Sequence, residues 1–388
     1  MNFSFTPEQD AIRTAILKLC SKFGDDYWLE KDRDGGWPVD FHNAMADGGW
    51  LGIAMPQEFG GSGLGITEAA IMMQALGEAG GGMGAISTVH TGIGGMNAVA
   101  AFGSREQKKR MLPPLIQGRE KICFAVTEPE TGFDILKLKT RAVRDKDRYL
   151  ISGRKTWISS AQVADRMLIL ARTTPLEDVQ KPTEGLTLFY TALDRKYVNA
   201  EVIEKMGRNA VDSNLLTIAD LPVAAEDRIG EEGKGFKLIL HGLNAERILV
   251  AAGAIGIGKA ALARATAYAK QRVVFDRPIG KNQAIQHPLA ECWMELEAAN
   301  LMVFRAASLY DQDKPCGAEA NSAKYLAAEA GFKTCTMAVM THGGYGYAKE
   351  YHVERYLREI IGPRLAPVSP QLVKCFIAEK VLGLPKSY

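Results

Sequence analysis

The stretch YLISGRKTWISS, residues Tyr149–Ser160, decides how the chain is divided. Its run of Ile, Leu, Thr and aromatic residues suits a pleated, half-buried surface and predicts a β-strand. Just before it, RDKDR (Arg144–Arg148) has the polar make-up of a hairpin tip. Beyond it, RMLILART (Arg166–Thr173), GLTLFYTAL (Gly185–Leu193) and SNLLTIADLPV (Ser213–Val223) repeat the pattern. Together they predict a compact antiparallel β domain that begins near Lys121.

On both sides the period changes to that of a helix. TPEQDAIRTAILKLCSKF (Thr6–Phe23) opens with Thr6 as N-cap, Pro7 at the first helical position and Gln9 placed for a capping box; Ile12, Ile16, Leu19 and Phe23 share one face. ITEAAIMMQALGEAG (Ile66–Gly80) and SREQKKRMLPPLIQG (Ser104–Gly118) also read as helices. EFGGSGLG (Glu58–Gly65) lacks the Lys-Ser/Thr ending of a phosphate-binding P-loop and reads as a plain connection. After EEGKGF (Glu231–Phe236) two long helices follow, ERILVAAGAIGIGKAALARATAYAK (Glu246–Lys270) and AIQHPLAECWMELEAANLMVFRAASLY (Ala284–Tyr310). GAIGIG (Gly253–Gly258) has no strand before it, so it reads as a small-residue face for a neighbouring helix and not as a dinucleotide fingerprint. The order is α, β, α, with boundaries at residues 1–121, 122–229 and 230–388.

The composition bounds the function. With 388 residues, 47% hydrophobic and 24% charged, the chain has the make-up of a large globular protein. A net charge of +2 provides no footprint for nucleic acid. Six scattered cysteines without a CxxC pair read as reduced thiols in a cytoplasmic protein, six histidines show no metal-ligand spacing, and no uncharged apolar stretch is long enough for a membrane span.

Four segments in order carry a resemblance: AVTEPETGFD (Ala125–Asp134), GRKTWISSA (Gly153–Ala161), RVVFDRPIGKNQAIQHPLA (Arg272–Ala290) and THGGYGYAKEYHVERYLRE (Thr341–Glu359). They are similar to segments of the acyl-CoA dehydrogenases. The resemblance implies a multidomain α+β fold: an N-terminal helical domain, a middle antiparallel β-barrel domain and a C-terminal four-helix bundle. It also implies FAD, an acyl-CoA substrate dehydrogenated to the 2,3-enoyl-CoA, an electron-transferring flavoprotein as acceptor, and a homotetramer or dimer of dimers. By the same resemblance Val126, Thr127, Trp157, Ile158 and Ser159 hold the flavin ring, where backbone groups and hydroxyls orient it. Arg272, Phe275, Gln283, Gly343 and Gly344 serve the FAD of an adjacent subunit, the arginine fork matching a pyrophosphate. Ser369 and Gln371 fall at further cofactor positions, and Asn244, Arg247 and Phe133 at substrate positions.

The chain departs from the family pattern at three places. Gly132-Phe133-Asp134 replaces a Gly-Ser-Asp, Asp276 and Arg277 stand inside the Phe-Gly-x-Pro motif, and Met340 replaces a glutamine. The usual catalytic glutamate is also missing. In RLAPVSPQLV (Arg364–Val373) its place falls on Pro367, which has neither a carboxylate nor an N–H. A minority of the family carries the base on the first long helix of the bundle, directly before an arginine, and LNAERILVAAG (Leu243–Gly253) puts Glu246 there. The expectation is that Glu246 removes the α proton of the thioester as a general base. Two alternatives stand beside it: non-oxidative thioester chemistry such as elimination or desulfination, and a scaffold that binds CoA or flavin without turnover.

Overall fold

The computed structural model describes residues 4–132 and 134–387; Phe133 lies outside them. Six helices come first: α1 (Pro7–Cys20), α2 (Asp25–Asp34), α3 (Val39–Asp47), α4 (Ile66–Leu76), α5 (Gly82–Phe102) and α6 (Arg105–Ile116). The cap on α1 forms as its sequence predicts: Thr6 accepts from the Gln9 amide while the Gln9 side chain accepts from the Thr6 amide. Ser104 and Gln107 make the same reciprocal pair at α6.

Eight strands follow: β1 (Ile122–Ala125), β2 (Arg141–Asp145), β3 (Arg148–Ser159), β4 (Arg166–Arg172), β5 (Leu186–Ala192), β6 (Val198–Val202), β7 (Ser213–Ala224) and β8 (Arg228–Ile229). RDKDR is the tight turn joining β2 to β3. The sheet runs β6-β7-β3-β2-β4-β5-β8, with β1 pairing β4. Two features correct the antiparallel barrel. Both β1 and β2 lie parallel to β4, the latter at the single pair Arg141–Arg172. Closure would require β6 to pair with β8, but β8 is a two-residue edge paired only with β5, so the sheet stays open.

The chain then returns to helix: α7 (Gly235–Gln271), the small hairpin β9 (Val273–Val274) and β10 (Arg277–Pro278), α8 (Gln283–Asp311), α9 (Gly317–His342), α10 (Val353–Leu365) and α11 (Pro370–Lys380). GAIGIG is helical throughout. A Cβ at Gly256 would meet the Gln74 carbonyl at 2.1 Å, so this face of α7 admits α4 at backbone distance. That contact joins the N-terminal helices to the C-terminal ones in one core. α7 is long and apolar enough to cross a membrane, yet 78% of its apolar window is buried inside the protein. All six cysteines are free thiols, and five are buried.

Candidate active site

The end of β1 and the bulged end of β3 lie side by side. Thr156 N–H donates to the Thr127 carbonyl at 2.9 Å. The β3–β7 register shifts between Lys155 and Ile158, and inside that bulge Trp157 takes a left-handed φ of 60°. A bulge re-aims a side chain: Trp157 points outward, 58% exposed, while Ile158 stays buried and its carbonyl accepts from Asn214 Nδ2. Val126 is buried beside them. Neither the Thr127 nor the Ser159 hydroxyl has a partner among the described residues. An exposed indole, two free hydroxyls and adjacent strand ends fit a planar, polar-edged ring such as flavin.

Beneath this surface is a pair that sequence reading missed. Lys155 Nζ, fully buried, donates to the Val126 carbonyl at 2.9 Å and to Glu128 Oε1 at 3.0 Å. Glu128 also accepts the amides of Lys139 and Thr140 at 2.6 and 2.9 Å. Burial opposes the Glu128 charge, but Lys155 and these amides outweigh it and hold the carboxyl below its usual range. Burial pushes Lys155 down to about 8 against the pull of Glu128. Both residues stand inside the quoted motifs, but nothing in their order reveals that the side chains turn inward and meet.

Glu246 lies on α7 where that helix packs against α5. A Cβ at Gly242 would meet Asn97 at 3.3 Å and one at Gly253 would meet Ile86 at 2.9 Å, so the two helices run antiparallel with these pairs level. Positions 242, 246, 249 and 253 share one face of α7, and 86, 90, 93 and 97 share one face of α5. Glu246 therefore faces α5 at the level of Ile93. It is half-buried, and its carboxylate has no hydrogen bond or ion pair among the described residues. Burial raises its pKa to about 7 against the pull of Arg247.

The Arg247 guanidinium turns elsewhere. Its Nη1 donates to Asn244 Oδ1 at 2.8 Å, and its Nε is buried without a partner. Its charge is felt by Lys324, whose Nζ donates to the carbonyls of Arg364 and Val368. The loop of Pro367 is thus anchored on a buried lysine of α9 that lies within electrostatic reach of α7. Ser369 is buried and uses its hydroxyl to cap α11 at the Leu372 amide; Gln371 is exposed.

A second set gathers at the far end of α7. Arg272 caps that helix with its guanidinium 5.8 Å from the centre of the Tyr345 ring. Phe275, 93% exposed, sits at the tip of the β9–β10 hairpin with a φ of 53°. Gln283 starts α8 at the surface, and Gly343 and Gly344 are exposed, with open space where a side chain would stand. From Glu246 to Arg272 is about 39 Å of helix rise.

With this geometry in view, three family profiles match in order: acyl-CoA dehydrogenase N-terminal domain over residues 6–119, middle domain over 123–221 and C-terminal domain over 233–366. The acyl-CoA dehydrogenase FadE12 of Mycobacterium tuberculosis is 34% identical over all of this chain and 99% of its own length. The caffeyl-CoA reductase-Etf complex subunit CarC of Acetobacterium woodii is 37% identical over 85% of this chain and 86% of its own. The solved butyryl-CoA dehydrogenase of Megasphaera elsdenii superposes with a TM-score of 0.93 at 30% identity, covering 98% of this chain and 100% of that one. The open Thr127–Trp157 surface agrees with the family's cofactor, FAD. The chain belongs to the acyl-CoA dehydrogenases, flavoprotein oxidoreductases that act on acyl-CoA.

Proposed function

We propose that the protein dehydrogenates an acyl-CoA thioester to its 2,3-enoyl-CoA, with Glu246 as the base. The observation that carries this reading is the state of Glu246: it faces α5, unpaired among the described residues, with a pKa raised to about 7 by burial. A structural helix glutamate normally finds water or a cation. A carboxylate poised near neutrality is suited to take a weakly acidic proton. It also favours oxidation over non-oxidative thioester chemistry, for which a strong base is not required.

In this reading Val126, Thr127, Trp157, Ile158 and Ser159 hold the flavin ring, which when bound accepts the substrate's β hydride. Lys155 and Glu128 fix the strand ends so that the backbone groups of Val126 and Thr127 keep their direction. Arg272, Phe275, Gln283, Gly343 and Gly344 reach the FAD of a neighbouring copy in a dimer of dimers, with Ser369 and Gln371 at the rim. Asn244 and Arg247 position the thioester, and Glu246 takes its α proton. Pro367 offers no N–H, so the thioester oxygen relies on other donors. Electron transfer to an electron-transferring flavoprotein is supported by the resemblance to CarC, a subunit of an Etf complex. The six free thiols support a reducing, cytoplasmic compartment.

The test is a screen of acyl-CoAs under anaerobic conditions with the yellow holoenzyme. At least one acyl-CoA should bleach the flavin and yield the enoyl product, and electrons should pass to the flavoprotein acceptor. A fully flavin-loaded enzyme that no acyl-CoA reduces would overturn the reading.

A further inference from the structure

The loop of Pro367 is held by a residue that no motif singles out. Lys324 of α9 is 1% exposed, and its Nζ donates to the Val368 carbonyl at 2.5 Å and to the Arg364 carbonyl at 3.2 Å. One ammonium thus ties together the two ends of the segment Arg364–Val368. Between those ends Leu365 and Ala366 stand exposed, and the Ala366 amide bonds back to the Gly362 carbonyl at 3.0 Å. The Arg364 side chain turns away from the loop: it forks onto Glu329 at 2.8 and 3.1 Å, with its guanidinium carbon 4.3 Å from the centre of the Phe332 ring.

The two carbonyls are the only hydrogen-bond partners of Lys324 among the described residues. Glu329 attracts it from farther away but is engaged by Arg364, while Arg247 of α7 and Arg364 of α10 repel it; α8 and α11 present no charged group that shifts it. Burial outweighs Glu329 and pushes its pKa down to about 8. A buried ammonium without a counter-ion is costly, and closing a loop does not by itself require one, since a neutral donor also satisfies a carbonyl. The repulsion from Arg247 places Lys324 beside the substrate positions of α7. Cys316, about two turns earlier on α9, keeps the same helix against them, its thiol hydrogen-bonded with the Asn244 side chain. The first turns of α9 therefore meet Asn244 at one level and the Pro367 loop at another.

We propose that Lys324 is a positioning residue for the dehydrogenation: its ammonium holds the segment Arg364–Val368 as a fixed wall of the thioester site. The inference rests on the reading that the thioester lies between this loop and Glu246. Proton removal requires the α C–H to point at the carboxylate, and a misplacement of about 1 Å costs on the order of 10²-fold. Pro367 brings neither a carboxylate nor an N–H, so the loop serves the reaction through its shape. Charge-assisted bonds are roughly twice as strong as neutral ones, so the wall loosens when the ammonium loses its proton.

The experiment measures flavin reduction in the holoenzyme at saturating acyl-CoA across pH, together with hydrogen exchange of the amides at residues 365–369. In the unmodified enzyme the rate should fall as pH rises through about 8, where Lys324 gives up its charge. K324M should be slower by tenfold or more below that pH at unchanged flavin content, should show no falling limb, and should exchange its loop amides faster. K324R, charged at every pH tested, should recover part of the rate and keep it above pH 8. A K324M enzyme as fast as the unmodified one overturns the proposal. So does one that is slow but keeps the falling limb, exchanges its loop amides at the normal rate or loses flavin, since Lys324 then serves the fold or the cofactor. Where K324M does not fold, K324R decides, and a limb near pH 8 that persists in it overturns the proposal. If no acyl-CoA reduces the flavin in the unmodified enzyme, the dehydrogenase reading fails by itself, and loop exchange in K324M still decides whether Lys324 holds the wall.

Discussion

In the proposed reaction Glu246 is the base, and its burial makes two measurable claims. Glu246→Gln keeps the shape but cannot accept a proton, so flavin reduction by the best acyl-CoA should slow by roughly 10² or more at unchanged flavin content. In the unmodified enzyme kcat/KM should rise with pH through about 7 as the carboxyl ionises, and that limb should vanish in the variant. The stability effect has the opposite direction. The carboxyl ionises at about 7 in the fold against 4.5 without it, so its contribution is fully present below pH 4.5 and is lost as pH rises through 7. Above neutrality Glu246→Gln should be the more stable protein, by about 1–3 kcal/mol. Equal denaturant midpoints at pH 8 together with unchanged flavin reduction would make Glu246 an ordinary helix residue.

At the level of elements, β1 and β3 show what a sequence can and cannot reveal. The run of Ile, Leu, Thr and aromatic residues in Tyr149–Ser160 predicts the strand, and RDKDR predicts its hairpin, because both signals are local. The open sheet is not legible: whether β6 meets β8 depends on residues brought together from distant parts of the chain. The same holds for Lys155, which looks like a surface lysine until its strand pairs and turns it onto Val126 and Glu128. Glu246 stands out through its neighbour in sequence, Arg247. The Lys155–Glu128 pair gives a test at this scale. Lys155→Met leaves a buried carboxylate with only two amides, which should cost about 3–5 kcal/mol. Removing both partners, Lys155→Met with Glu128→Gln, should recover part of that loss. In the single variant the affinity for FAD should fall with stability, because the Val126 carbonyl loses its anchor. A single variant that binds FAD normally would mean the pair supports only the β domain.

For the whole molecule the decisive length is that of α7. Its 37 residues span about 55 Å, with Glu246 in its first half and Arg272 beyond its end. Phe275 projects from a hairpin tip with almost all of its surface in solvent, and Arg272 has the Tyr345 ring against its guanidinium but no carboxylate partner among the described residues. An almost fully exposed aromatic ring near an arginine with no carboxylate partner suits a surface completed by a second copy and its cofactor. Arg272→Ala should therefore lower FAD occupancy severalfold while circular dichroism of the apoprotein stays unchanged. Phe275→Ser should weaken assembly in sedimentation measurements, and in both variants added FAD should recover occupancy only at concentrations that also restore the oligomer. Coupling is the key expectation, since a ligand bound across an interface shifts assembly by mass action. A flavin-loaded monomer in solution, or full occupancy in Arg272→Ala, would show that each chain holds its FAD alone, and the distal set would then need another role.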